Sequence, residues 1–366
     1  MPAVRHLQLM EKKGKYLLPF LIAFLLVAVV AVPLYLRKEV EYKSDRFLMD
    51  TMVSIRAYGR DEEKLKDAVT EAYAEMQRIA DLSDRFPAPG SAEYKASDVC
   101  LINENAGIMP VRVHREIIEM LLLAKKYHGL GKGAFDVTIG PVMDLWGFTG
   151  NNPKIPPPEK LAKTLTLVDS NKLIINEERQ TAFLEKRGMK LDLGAVAKGY
   201  ATEKAEQVLK SRGVARALID AGGNIRVIGK KSRNAPWKIG IKDPRESGGI
   251  IAIVSLTDGS AVTSGDYYRY FESGGRRYNH IIDPRTGYPA SANMSVTVMT
   301  ENAGDADCLS TIFFVLEPEK SLELAGKMGG VDIFLVTTGR RILHTPSLKG
   351  RVEVKSGEDY RYDQGR

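Results

Sequence analysis

Between Leu17 and Leu36 the chain carries about 20 consecutive residues without a charge, preceded by Lys12, Lys13 and Lys15 and followed by Arg37 and Lys38. An apolar helix of about 20 residues spans a bilayer, whereas a cleavable leader uses a shorter apolar stretch and a small-residue cleavage site. The pattern therefore predicts an uncleaved signal-anchor over 17–36 with a short segment, 1–16, ahead of it. Basic residues lie on both sides, with Arg5 and the three lysines facing Arg37, Lys38, Lys43 and Arg46, so charge does not set the orientation.

Beyond the apolar block the periodicity changes to two. Phe47, Met49, Thr51, Val53 and Ile55 alternate with polar positions and predict one strand over 47–58. Asp61 is placed to cap a helix whose Leu65, Val69, Ala72, Met76 and Ile79 share one face. Residues 86–97, broken by Pro87, Pro89 and Gly90, read as loop, and a second helix is expected from about Val113 to His128. Residues 151–160 hold four prolines and read as a loop. Short strands are expected around 217–220, 237–241, 250–256, 261–264, 268–271, 278–282 and 295–299. Two helices (304–316 and 318–328) and a strand (331–336) follow, then a polar tail, 346–366, expected to be loosely ordered. Strand clusters mixed with helices predict an α+β fold of mixed layers around one core, occupying 45–345.

Composition adjusts this picture only slightly. Hydrophobic residues make up 44% and charged residues 27%, ordinary for a globular protein. The net charge of +7 is partly membrane-flanking, and no basic run or nucleic-acid motif accompanies it, so no nucleic-acid partner is expected. Cys100 and Cys308 are isolated, without zinc or redox spacing, and Cys308 falls in an apolar helical pattern that suits a buried thiol. There is no lipobox-type cysteine, Walker A pattern, dinucleotide fingerprint or G-x-S-x-G elbow.

Candidate chemistry sits at the ends of these elements. His280, Asp283 and Arg285 crowd a Pro-bounded turn running from Tyr278 to Pro289, and the same residues also fit a β-turn in which Asp283 caps backbone amides. In Leu191–Ala201 a strand end meets a helix, with Gly194 allowing close backbone approach and Lys198 adding a positive charge near free helix amides. Such a turn also occurs for packing alone. Asp220-Ala221-Gly222-Gly223-Asn224 repeats the theme. Asp136, in the segment Gly133–Pro141, either caps the following turn or holds a ligand group. Asp307 and Thr311, at i and i+4, put a carboxylate and a hydroxyl on one helical face, an oxygen pair suited to Mg²⁺, although an N-cap and a packing residue would look the same.

Taken together, Met49-Asp50-Thr51, Gly133–Pro141 with Leu145-Trp146-Gly147-Phe148, Leu191–Ala201, Asp220–Gly223, Ala261–Phe271, Tyr278–Pro289 and Ala306–Thr311 resemble the ApbE family, the FAD:protein FMN transferases. The resemblance runs in family order over nearly all of 45–340. It implies a T-fold-related architecture of two subdomains around one core. It also implies a membrane-anchored enzyme of the bacterial inner membrane facing the periplasm, which binds FAD and Mg²⁺. Such enzymes move FMN to a threonine hydroxyl of a partner protein and release AMP. The partner would be a membrane or extracytoplasmic electron-transfer subunit, since this chain has no flavinylation segment of its own. Met49, Phe86, Ala134, Phe135, Asp136, Asp192, Lys198 and Ile281 fall where the family contacts FAD. The Ala195 carbonyl and the Asp307 and Thr311 side chains fall where it holds Mg²⁺. His280 falls at a proposed base or phosphate contact, and Asn103 at a position linked to binding versus cleaving FAD. Asp50 departs from the glycine of many members. FAD hydrolysis to FMN and AMP, or non-catalytic flavin binding, would use the same residues.

Overall fold

The computed structural model describes residues 39–148, 153–232, 235–355 and 359–362, with isolated positions 19, 22, 25 and 27. The expected membrane span lies outside the described residues except at Pro19, Ile22, Leu25 and Val27, as does the segment 1–16. Among the described residues no helix is long and apolar enough to cross a membrane.

The centre of the fold is a nine-stranded sheet: β1 (Val40–Leu48), β2 (Thr51–Gly59), β3 (Arg216–Ala221), β4 (Asn224–Ile228), β5 (Gly259–Gly265), β6 (Asn293–Thr300), β7 (Asp332–Thr337), β8 (Arg341–His344) and β9 (Arg361–Tyr362). Its order in space is its order in the chain. Neighbours run antiparallel from β1 to β8, and β9 joins β8 in parallel. Local hairpins account for part of this order, but β2 and β3 pair across a long excursion, with Ile55 opposite Ile219. That excursion carries α1 (Glu62–Ser83), α2 (Arg115–Leu130) and α3 (Ala197–Ser211), and a second, between β6 and β7, carries α4 (Ala303–Val315) and α5 (Pro318–Lys327).

The period-two pattern of the strands separates two cores. Ile333 and Leu335 of β7 join Val53, Ile55 and Ile219 under the helices. Phe334 and Val336, on the opposite face, pack with Trp237, Ile239 and Val254 of a three-stranded sheet formed by Trp237–Lys242, Ile250–Leu256 and Val352–Val354. Residues in contact with solvent on neither side need no polar face, which is why α4 is apolar nearly all round and lies in the interior. A smaller cluster of Val142, Trp146, Leu161 and Ile282 forms a satellite beneath the proline-rich segment.

Several expectations need correction. The strand expected over 278–282 is Arg276–Asn279, and the loop expected over 151–160 gives way to a helix, Pro158–Leu165, with two prolines at its start where no backbone N–H is needed. The strand expected over 47–58 is a hairpin, β1–β2, turning at Met49 and Asp50, which adopt φ 52° and 58°. The turn keeps the alternation going and lacks the glycine that usually marks one, so periodicity alone runs straight through it. Residues 86–97 include a short helix, Ala92–Ala96, capped by Ser91. The tail is not uniformly loose: Val352–Val354 adds to the second sheet and Arg361–Tyr362 to the main one, because both sheets leave an edge there to pair. Cys100 and Cys308 are buried free thiols.

Candidate active site

One cavity of about 600 Å³ opens where the β1–β2 turn, the β3–β4 turn, the end of β5, the start of α3, the middle of α4 and the His280 turn converge. Twelve of the thirteen residues implied by the resemblance line it, all but Asn103: Met49, Phe86, Ala134, Phe135, Asp136, Asp192, Ala195, Lys198, His280, Ile281, Asp307 and Thr311. They span most of the sequence, and only the sheet excursions bring them together.

The floor is built by α3 and α4. Asp307 is 5% exposed, and its Oδ2 accepts a 2.8 Å hydrogen bond from Gly199 N at the start of α3. A side chain at position 199 is sterically impossible without movement, since its Cβ would stand 2.3 Å from the Ala303 carbonyl oxygen and 2.7 Å from the Asp307 Cβ. Burial pushes the Asp307 carboxyl above its ordinary range, opposed by the positive charge of Lys198 and the Gly199 amide. Thr311, one turn on, reaches the Asp307 carbonyl at 3.4 Å, a long contact that leaves its hydroxyl available.

Ala195 lies in a bend whose geometry is fixed from both ends. Asn103 clamps Leu191, donating to its carbonyl at 3.2 Å and accepting from its amide at 2.6 Å. Asp192 accepts from Gly194 N through Oδ1 at 2.9 Å and from Arg85 Nε through Oδ2 at 2.8 Å. Lys198 Nζ donates to the Gly194 carbonyl at 3.1 Å. Asn103 thus positions the bend from behind and is not itself part of the cavity lining.

Asp136 resolves the ambiguity the sequence left. Its Oδ1 accepts from Thr138 N, Thr138 Oγ1 and Ser170 Oγ, and its Oδ2 from Ser170 N, so the carboxylate is consumed in holding the Ala134–Thr138 loop. The neighbouring Phe135 carbonyl faces His128 Nδ1 at 2.9 Å. Asp283 is likewise structural, accepting from Arg285 N and Nε and, through its carbonyl, from Gly287 N at 2.8 Å. Trp146 Nε1 donates to the Gly287 carbonyl at 2.8 Å, tying the Trp-Gly-Phe motif to the His280 turn.

His280 is half-buried. Its backbone amide donates to the Arg269 carbonyl at 3.0 Å, and its Nδ1 faces the same oxygen at 3.3 Å. A carbonyl can only accept, so Nδ1 carries the proton and Nε2 is the basic nitrogen. Burial, reinforced by the charges of Lys198 and Arg269, pushes the imidazole down to about 4. It is neutral at physiological pH.

The mouth has a different character. Phe86 is 48% exposed, with the Arg85 guanidinium 4.5 Å above its ring. Asp50, at the hairpin tip, forms a 3.2 Å ion pair with Arg269 across the opening. Arg269, Tyr268, Ser264 and Asn224 also line the cavity. Arg269, Tyr268 and Ser264 lie in the Ala261–Phe271 segment that resembles the family and Asn224 directly follows Asp220–Gly223, but no spacing there separates a lining residue from a packed one.

The donor set fits a hard cation. Among the described residues no group of three His, Cys, Asp or Glu side chains converges, as a structural zinc site would need. One carboxylate, one hydroxyl and one carbonyl is the sparse protein shell that Mg²⁺ accepts when substrate oxygens and water complete it. Gly199 engages only one oxygen of Asp307, leaving Oδ1 for a cation.

The chain is similar to known proteins along most of its length. The ApbE family model matches residues 49–335. The chain is 33% identical over 329 residues to the FAD:protein FMN transferase of Treponema pallidum (strain Nichols), covering 86% of this chain and 89% of that protein. It is also 33% identical to that of Klebsiella pneumoniae (strain 342), covering 82% and 91%. The crystal structure of the ApbE protein of Thermotoga maritima superposes with a TM-score of 0.77 at 34% identity, covering 85% of this chain and 99% of that one. The flavin transferase ApbE of Vibrio cholerae gives 0.73 at 26%, covering 86% and 99%. With the family pattern, its relatives and its fold in agreement over nearly the whole described chain, this protein belongs to the ApbE family.

Proposed function

We propose that the chain is an FAD:protein FMN transferase that moves FMN from FAD to a threonine hydroxyl of a partner protein and releases AMP. The observation that carries this reading is the pairing, in one cavity, of a buried carboxylate on the floor with a neutral imidazole on the wall. In the reaction, the threonine oxygen forms a bond to the FMN phosphorus, the bond from that phosphorus to the bridging oxygen breaks, and AMP departs with the bridging oxygen. His280 Nε2 takes the threonine proton, a role supported by its neutral state and fixed tautomer. Lys198 supplies positive charge toward the diphosphate, and the Asn103-held bend keeps Ala195 and Asp192 in place for binding. The Ala195 carbonyl, the Asp307 carboxylate and the Thr311 hydroxyl would hold Mg²⁺, which supplies neutralisation of diphosphate charge.

The apolar run 17–36 supports anchoring in a bacterial inner membrane. The family resemblance supports a catalytic domain facing the periplasm and an acceptor among membrane or extracytoplasmic electron-transfer subunits.

The test is mass spectrometry of a candidate acceptor incubated with FAD, Mg²⁺ and the protein. The expected product is the acceptor carrying one FMN on a threonine, with an equal amount of AMP. His280→Ala should retain FAD and lose the adduct. FMN and AMP without adduct would make water the acceptor, and no AMP at all would leave only flavin binding.

A further inference from the structure

The Asp220–Asn224 segment carries a feature that the proposed chemistry leaves unused. Gly222 and Gly223 turn β3 into β4 with φ 63° and 94°. The turn is held on both sides: a Cβ at Gly222 would meet Thr51 Oγ1 at 2.1 Å, and one at Gly223 would meet the Tyr268 hydroxyl at 2.7 Å. Asp220 Oδ1 accepts from Gly223 N at 3.0 Å. Asn224, the first residue after this clamped turn, is therefore fixed in position. It is 2% exposed and lines the cavity, yet neither Oδ1 nor Nδ2 has a hydrogen-bond partner.

A buried carboxamide without partners costs free energy, and native proteins seldom leave both of its ends unmet. Among the buried side chains without a partner, Asn224 alone of the described residues has both polar atoms unmet. Asn103, Asn279 and Asn293 all spend their amide nitrogens on backbone carbonyls. What meets both ends of a carboxamide at once is a planar group presenting a donor and an acceptor side by side. A peptide from an acceptor protein would have to reach a nearly fully buried residue, whereas a small molecule filling the cavity would lie against it.

Resting on the flavin-transfer reading, we propose that Asn224 recognises the donor–acceptor edge of a heteroaromatic ring of the dinucleotide. Its Oδ1 accepts a ring-system N–H and its Nδ2 donates to the adjacent ring nitrogen or carbonyl. FAD offers two such edges: N6–H beside N1 or N7 of adenine, and N3–H beside a carbonyl of the isoalloxazine. Asn224 is a specificity residue in this scheme and takes no part in the phosphoryl step.

Calorimetric titration of the full chain with AMP and, separately, with FMN distinguishes the two edges. Asn224→Leu should weaken one of the two nucleotides by roughly tenfold to a hundredfold, as for loss of a two-point base contact, and leave the other unchanged. The urea midpoint should stay constant or rise, since an unmet polar group is replaced by an apolar one. Asn224→Ala serves if leucine does not fit. Selective loss of AMP identifies the adenine edge, and selective loss of FMN the isoalloxazine edge. Unchanged binding of both, or an equal loss of both, overturns the inference while the wild type still binds FAD. A wild type that binds neither nucleotide overturns the flavin-transfer reading and this inference with it.

Discussion

The floor and the mouth of the cavity are built by opposite means. On the floor, Asp307 meets Gly199 inside the core, backbone against carboxylate, with no space for a methyl group between α3 and α4. At the mouth, Asp50 and Arg269 meet as side chains that are 69% and 42% exposed, beside a Phe86 half open to solvent. Contacts between buried backbones fix positions to a fraction of an ångström, because the surrounding packing cannot yield. Exposed ion pairs are screened and lose side-chain entropy when they form, so they fix little. The part of the site that would hold a cation is rigid in the free protein, and the part a macromolecular acceptor would approach is adjustable.

The severest way to break this contrast is at the floor. Gly199→Val should cost about 3 kcal/mol or more, the upper range for overpacking, and abolish divalent-cation binding. A urea melt with and without Mg²⁺ measures both, and a variant of normal stability would show that the helices separate easily. Asp307→Asn should lower transfer by roughly a hundredfold or more, several kcal/mol of charge stabilisation being lost. Its effect on folding has the opposite sign. The carboxyl is raised in the folded state, so the stability it contributes is complete below its unfolded value near 3.8 and falls as pH rises through the folded value. In the absence of metal, Asp307→Asn should therefore be the more stable protein at pH 7, with the gap closing on acidification.

His280 joins the two regions, because Lys198 from the floor side and Arg269 from the mouth both depress it. A depressed imidazole contributes stability above its unfolded value of about 6.5 that is lost as pH falls toward about 4. Arg269→Ala should raise the His280 titration midpoint, followed by its ring proton resonances in NMR, and make the acid loss of stability less steep. If the midpoint stays put, the mouth has no electrostatic hold on the base. The smallest effect is expected at the hairpin tip. Asp50→Gly removes an exposed ion pair but relieves a positive φ, so stability should move by less than about 1 kcal/mol in urea denaturation. A larger loss would mean that the mouth is built like the floor.

The helices α1 to α5, the alternation of most strands and the segments that converge on the cavity are legible in the chain, because each depends on local periodicity or on a cap such as Asp61. The β1–β2 turn is not legible, since Met49 and Asp50 take left-handed conformations without a glycine to announce them. The residues around the site divide in the same way. Asp283 can be recognised as a turn residue from its neighbours, and its hydrogen bonds agree. Asp136 and Asp307 are both aspartates in family motifs, and nothing in their spacing says that one is saturated by Thr138 and Ser170 while the other keeps an oxygen free.

The sequence by itself determined which segments carry chemistry and which family they resemble, because those properties reside in short runs of residues. Only the tertiary structure decided which side chains are spent on holding the fold. Partnership between polar atoms depends on residues far apart in the chain, such as Asp136 with Ser170 and Asp307 with Gly199. For the same reason the orphaned amide of Asn224 is invisible until β3, β4 and β5 are laid side by side.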